Sequence, residues 1–229
     1  MRTITPLSSI LLVMNTDSPS VDVKNKKKIK DFLIIDCTGK NNSIVLKINN
    51  KFFIKKLQTN LIKSEILTLE IVDFIKKYKI ELNTDFSILI NSGPGSFSGV
   101  RISLAVAKGI QLVKKTKTYS YNNFLLNAAP YLEEKKEIIS IQKTKNFYYY
   151  CKRVFESYHQ FSPPERLDLK KINKLESVFI VPVEIKNDKI IKDINPKKLR
   201  ITEFNLKNID LLIEKKLVEN KLIKPLYLS

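Results

Sequence analysis

The fold of this 229-residue chain is decided by one stretch, Ile90-Asn91-Ser92-Gly93-Pro94-Gly95-Ser96-Phe97-Ser98-Gly99-Val100-Arg101. The apolar run at 86–90 predicts a buried strand before it, and the apolar and small residues at 100–113 predict a helix after it. Three of the five glycines fall within this stretch, which marks backbone that needs positive φ or passes close to another segment. Pro94 stiffens the turn, and Ser98 is predicted to cap the helix.

The glycine-rich turn matches neither of the two common phosphate-binding patterns. The P-loop needs a lysine directly after its last glycine, whereas here Lys108 precedes Gly109. The dinucleotide fingerprint needs a third glycine where Ser98 stands. Two interpretations stay open: the helix N-terminus binds an anion, or the glycines only let the helix start lie close to the sheet.

The segment GPGSFSGVRISLAVAKGI, which begins at Gly93, closely resembles the GPGSFTGLRxGxAxAKG signature of the TsaB (YeaZ) family. Its departures are conservative, with Ser98 for threonine and Val100 for leucine. The resemblance implies an α/β, actin-like (ASKHA) fold of two lobes, with RNase H-like mixed sheets flanked by helices and a reduced second lobe. It also implies a motif loop made of Gly93, Pro94, Gly95, Ser96, Phe97, Ser98, Gly99 and Arg101.

The same resemblance implies a function. TsaB proteins are non-catalytic partners in the bacterial synthesis of N6-threonylcarbamoyladenosine, which stands next to the anticodon in tRNA. We therefore expect this chain to bind and activate a TsaD-like protein together with a TsaE-like protein. No tightly bound cofactor is expected, ATP is expected only at the TsaD/TsaE complex, and tRNA is reached through the complex.

The charge invites a nucleic-acid interpretation but does not establish one. The formal net charge is +18, yet only five of the 41 basic residues are arginine. Proteins that bind nucleic acid favour arginine, because its planar guanidinium can donate two parallel hydrogen bonds. The lysines are scattered along the whole chain. We attribute most of this charge to solvated faces and keep a basic tRNA-binding module as an alternative function.

The cysteine and histidine content predicts no metal site. Cys37 and Cys151 lie in apolar strand-like runs outside any CxxC motif, which fits a reducing cytoplasm. The single histidine, His159, is too isolated for a zinc site or a Ser-His-Asp triad. We expect a cytoplasmic protein without a catalytic metal.

The chain divides into a tail and two predicted lobes. Residues 1–30 are predicted to be a flexible tail or the product of a start codon assigned too early. Their apolar run at 10–14 is too short to span a membrane, so no membrane association is expected. The first actin-like lobe is assigned to 31–118 and the reduced second lobe, with its C-terminal helix, to 119–229.

The first lobe is predicted to open with strands at 32–37, 43–48 and 51–57. A strand that ends at Asp36 and is followed by Thr38 and Gly39 resembles the first phosphate loop of actin-like ATPases, here as a degenerate remnant. The alternative is a turn in which the aspartate and threonine side chains bond their own backbone.

Residues 60–79 predict a helix with two apolar stripes, one of which includes Leu69 and Val72. Either the helix at 100–113 covers the second stripe, or the two helices together present a surface to another protein. The resemblance favours pairing with TsaD through these helices, and a free homodimer would use the same face. The candidate interface residues are Leu67, Ile71, Phe74, Tyr78, Ser103, Leu104 and Ala107.

The second lobe is predicted to contain a helix at 121–132, strands at 137–141, 147–154 and 178–183, and a closing helix at 206–219. Its strand-turn-strand region resembles the DARxGxVY segment of TsaB, with Gln142 for the aspartate and Asn146 for the glycine. The ending at 224–229 resembles the PxYLR terminus of the family.

The distribution of glycine argues against an ATPase. An actin-like ATPase grips phosphates from both lobes through glycine-rich turns, whereas every glycine here lies between Gly39 and Gly109. The histidine pair with which TsaD holds its metal is also missing. We therefore predict no catalytic residues; an actin-like ATPase or kinase, or a peptidase-like enzyme, stays as the alternative.

Overall fold

The structure, a computed structural model, describes residues 29–39, 42–58, 63–134, 137–144, 148–155, 160–168, 172–220 and 223–228. Several predicted features lie outside the described residues. They are the tail up to residue 28, turn residues 40–41, the start of the helix predicted at 60–79, the turn at 145–147 with Asn146, and His159.

The first lobe is a five-stranded mixed sheet in the order β3-β2-β1-β4-β5. Strands β1, β4 and β5 are parallel, and β2 and β3 are antiparallel to their neighbours. The parallel strands end at one edge of the sheet, at Asp36, Asn91 and Tyr121. The strands are β1 (Phe32–Asp36), β2 (Ser43–Ile48), β3 (Lys51–Lys56), β4 (Ser87–Asn91) and β5 (Lys117–Tyr121).

Two helices cover one face of this sheet, because parallel strands need a crossover connection. Helix α1 (Ser64–Lys77) connects β3 to β4, and α2 (Phe97–Lys114) connects β4 to β5. The two helices also contact each other, so α2 covers part of α1. Alternate residues of β1 point to opposite cores: Leu33 and Ile35 face the helices, and Phe32 and Ile34 face the second lobe. This two-sided burial explains the uninterrupted apolar run of β1.

The second lobe is a smaller five-stranded mixed sheet in the order β10-β9-β6-β7-β8. Strand β9 is parallel to β6 and β10, whereas β7 is antiparallel to β6 and β8. The strands are β6 (Ile138–Lys143), β7 (Tyr149–Val154), β8 (Glu165–Arg166), β9 (Val178–Pro182) and β10 (Leu199–Thr202). The helices are α3 (Asn123–Ala128), α4 (Lys189–Lys192) and α5 (Leu206–Glu214), and 3-10 turns cover Ala129–Tyr131, Ile172–Lys174, Val183–Ile185 and Pro196–Lys198.

The lobes share one hydrophobic core. Leu89 of the first sheet, Leu125 of α3, Ile180 of the second sheet and Leu212 of α5 are buried in the same cluster. Helix α3 contacts β6, β9 and α5. The motif loop follows β4, the strand that contains Leu89, and therefore lies at the edge of this shared core.

Three predicted helices are shorter in the structure. The helix predicted at 60–79 spans Ser64–Lys77, because Lys63 is extended and Lys79 takes a left-handed conformation with φ 53°. The helix predicted at 121–132 begins only at Asn123, because Tyr121 completes β5 and the Asn122 side chain caps α3 by accepting from the Leu125 N–H at 3.0 Å. The closing helix ends at Glu214 rather than 219, because Lys216 takes a left-handed conformation with φ 58°. Strands β5, β8 and β10 were not predicted.

Candidate functional site

The motif loop lies directly against the end of β1. A Cβ atom at Gly95 would stand 2.3 Å from the carbonyl oxygen of Thr38, and one at Gly99 would stand 1.9 Å from that of Cys37. Both separations are far below van der Waals contact, so only glycine fits at either position. Ser96 donates its backbone N–H to the Thr38 carbonyl at 2.7 Å. The loop therefore occupies the space beside the turn that follows Asp36.

Gly93 serves a different requirement from the other two motif glycines. It is the one glycine among the described residues with positive φ, at 104°, and a Cβ there would lie 3.0 Å from the Leu226 carbonyl oxygen. Of the two requirements predicted for the motif glycines, Gly93 thus meets positive φ, whereas Gly95 and Gly99 meet close approach to another segment. Gly95 is required because of its contact with Thr38, and Gly93 supplies the turn.

Ser96, not Ser98, caps helix α2. The Ser96 hydroxyl accepts from the Gly99 N–H at 3.3 Å, and its backbone is extended, as an N-cap requires. The Ser98 hydroxyl lies 3.4 Å from that of Ser96. The helix thus begins at Phe97, three residues before the predicted start at Val100, and the predicted cap at Ser98 is corrected.

A polar network joins the ends of the parallel strands. Asp36 Oδ1 accepts from the backbone N–H of Thr38 at 2.9 Å and from its hydroxyl at 2.7 Å. Asp36 Oδ2 accepts from Asn91 Nδ2 at 2.8 Å and from the Tyr121 hydroxyl at 3.4 Å. Both oxygens of the carboxylate are thus engaged within the chain, and Gly39 follows in an exposed turn.

The network continues into the motif loop. Asn91 Nδ2 also lies 2.7 Å from Asn123 Oδ1, and Asn91 Oδ1 accepts from the Gly93 N–H at 3.0 Å. Asn123 Nδ2 donates to the Pro94 carbonyl at 2.8 Å, next to the cis Gly93–Pro94 peptide bond. The sequence analysis did not single out Asn91 or Asn123 as site residues. Asn91 directly follows the apolar strand predicted at 86–90, which was the available signal, whereas Asn123 lay inside the helix predicted at 121–132 and carried none.

Burial keeps the groups beside Asp36 protonated. The pKa of the Tyr121 phenol is raised well above its ordinary value, first by burial and then by the Asp36 charge. Burial likewise raises the pKa of the Cys37 thiol to about 11. At neutral pH Tyr121 is therefore a hydrogen-bond donor, and Cys37 is a thiol rather than a nucleophilic thiolate.

The C-terminal segment closes over the start of α2. The Leu226 N–H donates to the Ser92 carbonyl at 2.7 Å. The Tyr227 ring lies 4.8 Å from that of Phe97, and the guanidinium of Arg101 stands 3.9 Å from the Phe97 centroid. The predicted motif residues Phe97 and Arg101 thus hold the C-terminal segment in place through their contacts with Tyr227.

The side chains proposed for a partner interface are mostly buried within the chain. Leu67, Ile71 and Phe74 pack in the core between α1 and the first sheet. Ser103 and Ala107 are fully buried on the inner face of α2, so these five assignments are corrected. Leu104 is half-buried, and the half-buried Tyr78 stacks on Phe53 at 4.3 Å.

The apolar side chains that the two helices expose lie on their outer faces. On α1 they are Leu69, 63% exposed, and Val72; on α2 they are Leu112, 71% exposed, and Val113. Ala105 and Gly109 lie on the same face of α2 as Leu112, and no atom lies within 4 Å of where a Cβ of Gly109 would stand. The helix pair therefore presents an apolar outer surface.

The second-lobe hairpin is tied to its own lobe. Lys143 Nζ and the Tyr149 hydroxyl each lie 2.7 Å from Asp188 Oδ2, which lowers the pKa of that carboxyl. The first cause of this lower pKa is the hydrogen bond from Lys143. Gln142, which replaces the family aspartate, lies on β6 opposite Tyr150. The hairpin contacts are thus internal to the second lobe.

Two negative observations concern only the residues that the structure describes. No group of three or more His, Cys, Asp or Glu side chains there is arranged to hold a metal ion. No helix in the same residues has the length and apolar character needed to cross a membrane.

The fold is similar to that of two solved structures. One is an uncharacterized protein with similarity to peptidase YeaZ from Pseudomonas aeruginosa, with a TM-score of 0.63, 13% identity, and coverage of 88% of this chain and 100% of the other. The other is YeaZ from Pseudomonas aeruginosa, with a TM-score of 0.59, 14% identity, and coverage of 87% of this chain and 100% of the other. At such low identity these matches bear on the fold alone, and they confirm the predicted two-lobe, actin-like architecture.

Sequence comparison gives the family. No family model matches the chain. However, it is 32% identical over 221 residues to the tRNA threonylcarbamoyladenosine biosynthesis protein TsaB of Buchnera aphidicola subsp. Baizongia pistaciae, covering 88% of this chain and 99% of that one. Because this similarity extends over nearly the whole relative, the chain belongs to the TsaB family.

Proposed function

We propose that this chain is a non-catalytic subunit required for synthesis of N6-threonylcarbamoyladenosine in tRNA. It acts by binding and activating a TsaD-like protein, and a TsaE-like protein and ATP join at that complex. The observation that carries the proposal is the 32% identity to a threonylcarbamoyladenosine biosynthesis protein over 99% of that relative.

The motif loop supports a structural rather than a catalytic role. Gly95 and Ser96 lie against Thr38 where a phosphate loop would need open backbone, and Asp36 uses both carboxylate oxygens within the chain. A nucleophile or general base needs a free group aimed at a substrate. The groups of this loop are instead used to fasten α2 to the first sheet.

The outer surface of α1 and α2 supports the binding role. Leu69, Val72, Leu112 and Val113 are large aliphatic side chains exposed on two adjacent helices. The open space over Gly109 lets another helix approach the backbone of α2 closely. The TsaD-like partner is proposed to bury this surface, and a homodimer of the free protein would compete for it.

Co-purification with the TsaD-like protein tests the proposal. Leu112→Glu and Leu69→Glu place a carboxylate on the proposed interface at positions that are exposed in the free chain. Each should weaken binding at least tenfold, or about 1.4 kcal/mol, because an unpaired charge would be buried on association. The matched control is Phe204→Glu, at a 52% exposed position in the second lobe, which should bind like wild type.

The proposed interface is contradicted if both helix variants are folded and still bind TsaD like wild type. Turnover of ATP by the pure chain, surviving removal of contaminants, would favour the alternative of an actin-like enzyme. Competition between dimer and heterodimer is checked by size-exclusion chromatography, in which Leu112→Glu should also abolish any homodimer.

A further inference from the structure

One end of the first lobe is unusually rich in exposed lysine. The parallel strands start at this end, opposite the motif loop. Both helices end there, because each follows one strand and runs antiparallel to it before the next strand begins. We call the lysine edge the set formed by Lys51, Lys76, Lys79, Lys114, Lys115 and Lys117. All six are exposed.

The topology places these lysines together although they are spread over the sequence. Lys51 begins β3 and Lys117 begins β5, the two outer strands of the sheet. With strands about 4.8 Å apart, the two positions are roughly 19 Å from each other. Lys76 and Lys114 lie in the last turns of α1 and α2, so the helix ends extend the row.

The lysine edge is not neutralised within the described part of the chain. None of its six lysines forms an ion pair with a described residue. Four carboxylates lie on nearby segments: Asp73, Glu81 and Asp85 are exposed, and Asp31 accepts from the Asn49 N–H at 3.0 Å. In the second lobe five cations form ion pairs, whereas Lys186, Lys192 and Lys197 are exposed and form none with a described residue. The pairs are Lys143–Asp188, Arg153–Glu137, Arg153–Glu165, Lys198–Glu176, Arg200–Glu134 and Lys215–Glu133.

We propose that the lysine edge binds the phosphate backbone of RNA. A row of exposed ammonium groups that form no ion pair with the described residues suits a polyanion that is bound through its charge rather than its base sequence. Naming tRNA as the occupant rests on the proposed function. The edge adjoins the exposed Leu112 and Val113, which belong to the proposed partner surface. A TsaD-like partner bound there would bring the tRNA that it carries next to these lysines.

The test measures binding of the full chain to an unmodified tRNA transcript between about 50 and 200 mM salt, by fluorescence anisotropy. The edge variant is the triple substitution Lys76→Gln, Lys114→Gln and Lys117→Gln. It should weaken binding at least tenfold at low salt and reduce the slope of log K against log salt by about 2 to 3. An unrelated RNA of equal length should be affected equally, because the contact is with the backbone.

The matched control removes the same charge from exposed positions of the second lobe, through Lys186→Gln, Lys192→Gln and Lys197→Gln. It should bind tRNA within about twofold of wild type, because charges beyond the Debye length are screened. Equal losses in the two triple variants would overturn the proposal, since net charge alone would then explain binding. Binding to phosphatidylserine vesicles without binding to tRNA would overturn it as well.

A parallel measurement separates this inference from the proposed function. Wild-type chain is expressed in cells depleted of their own TsaB, and the modified nucleoside is quantified by mass spectrometry. Restored modification together with unchanged tRNA binding by the edge variant overturns only the lysine edge. Loss of tRNA binding in the edge variant with no modification by wild type supports the edge and overturns the proposed function.

Discussion

Arg101 and Tyr227 are 126 positions apart in the sequence, yet Nε of Arg101 donates to the Tyr227 hydroxyl at 3.0 Å. Arg101 lies on the first turns of α2, and Tyr227 lies in the C-terminal segment. The Phe97 ring packs against both, with its centroid 4.8 Å from that of Tyr227 and 3.9 Å from the Arg101 guanidinium. The terminus of the chain is therefore fastened to the motif that opens α2.

Tyr227→Ala should release this segment without unfolding the lobes. The tyrosine ring and hydroxyl hold the terminus, so the Leu226 N–H, bonded to Ser92 at 2.7 Å, should exchange with deuterium faster. Amides in the middle of α2 should be unchanged. Tyr227→Phe keeps the ring and should give an intermediate rate; exchange of Leu226 as slow as in wild type for Tyr227→Ala would contradict the contact.

The motif glycines should differ sharply in their tolerance of a methyl group. Gly95→Ala and Gly99→Ala should each lower the free energy of unfolding by more than about 2 kcal/mol, because the new Cβ meets a backbone carbonyl. Gly109→Ala is the matched control on an open helix surface and should raise it by about 0.5–1 kcal/mol. Denaturant titration measures all three. Similar values for the three variants would show that the loop does not lie on β1 as described.

A charge should affect the free energy of unfolding strongly on the buried face of α1 and hardly at all on its exposed face. Ile71 is 1% exposed, so Ile71→Glu should unfold the first lobe or cost more than about 3 kcal/mol. Leu69→Glu, on the exposed face, should change the free energy of unfolding by less than about 0.5 kcal/mol. Circular dichroism with thermal melts distinguishes them, and a stable Ile71→Glu would mean that this residue faces outward.

Much of this fold could be predicted from the sequence, and the failures have physical causes. The apolar strands β1 and β4 and the motif helix are strong local patterns. Strand β5 reads Lys-Thr-Tyr-Ser-Tyr, whose hydroxyl side chains become buried only because α2 and the second lobe cover them. The close approaches of Gly95 to Thr38 and of Gly99 to Cys37 are tertiary, so the spacing of the glycines did not reveal the partner atoms.

The interface residues illustrate the same limit. Periodicity placed Leu67 and Leu69 on different stripes of one helix, but it did not say which stripe meets the sheet. Packing decides this, because the stripe with Leu67, Ile71 and Phe74 joins the core. The polar network was also only partly predictable: Asp36 and Thr38 were singled out, whereas Asn91 and Asn123 are brought to them by the sheet edge.

The buried thiols should make stability fall at alkaline pH. Burial raises the pKa of the Cys37 and Cys151 thiols from 9.0 to about 11. Their contribution to stability is fully present below pH 9 and is lost as pH rises towards 11, at up to about 1.4 kcal/mol per pH unit for each thiol.

Denaturant titrations from pH 7 to above pH 10 check this, and Cys37→Ala should flatten the decline. An equally steep decline in Cys37→Ala and wild type would contradict the assigned cause. In the native protein at pH 7, neither thiol should react with an aromatic disulfide reagent, whereas both should react in denaturant.

The central claim is that this chain supports modification of tRNA by activating a TsaD-like partner. The most direct measurement is the amount of N6-threonylcarbamoyladenosine in tRNA from cells depleted of TsaB, supplied with this chain and its own TsaD-like and TsaE-like proteins. We predict that wild type and Phe204→Glu restore the nucleoside and that Leu112→Glu does not. Equal amounts of the nucleoside with and without the folded chain would contradict the account.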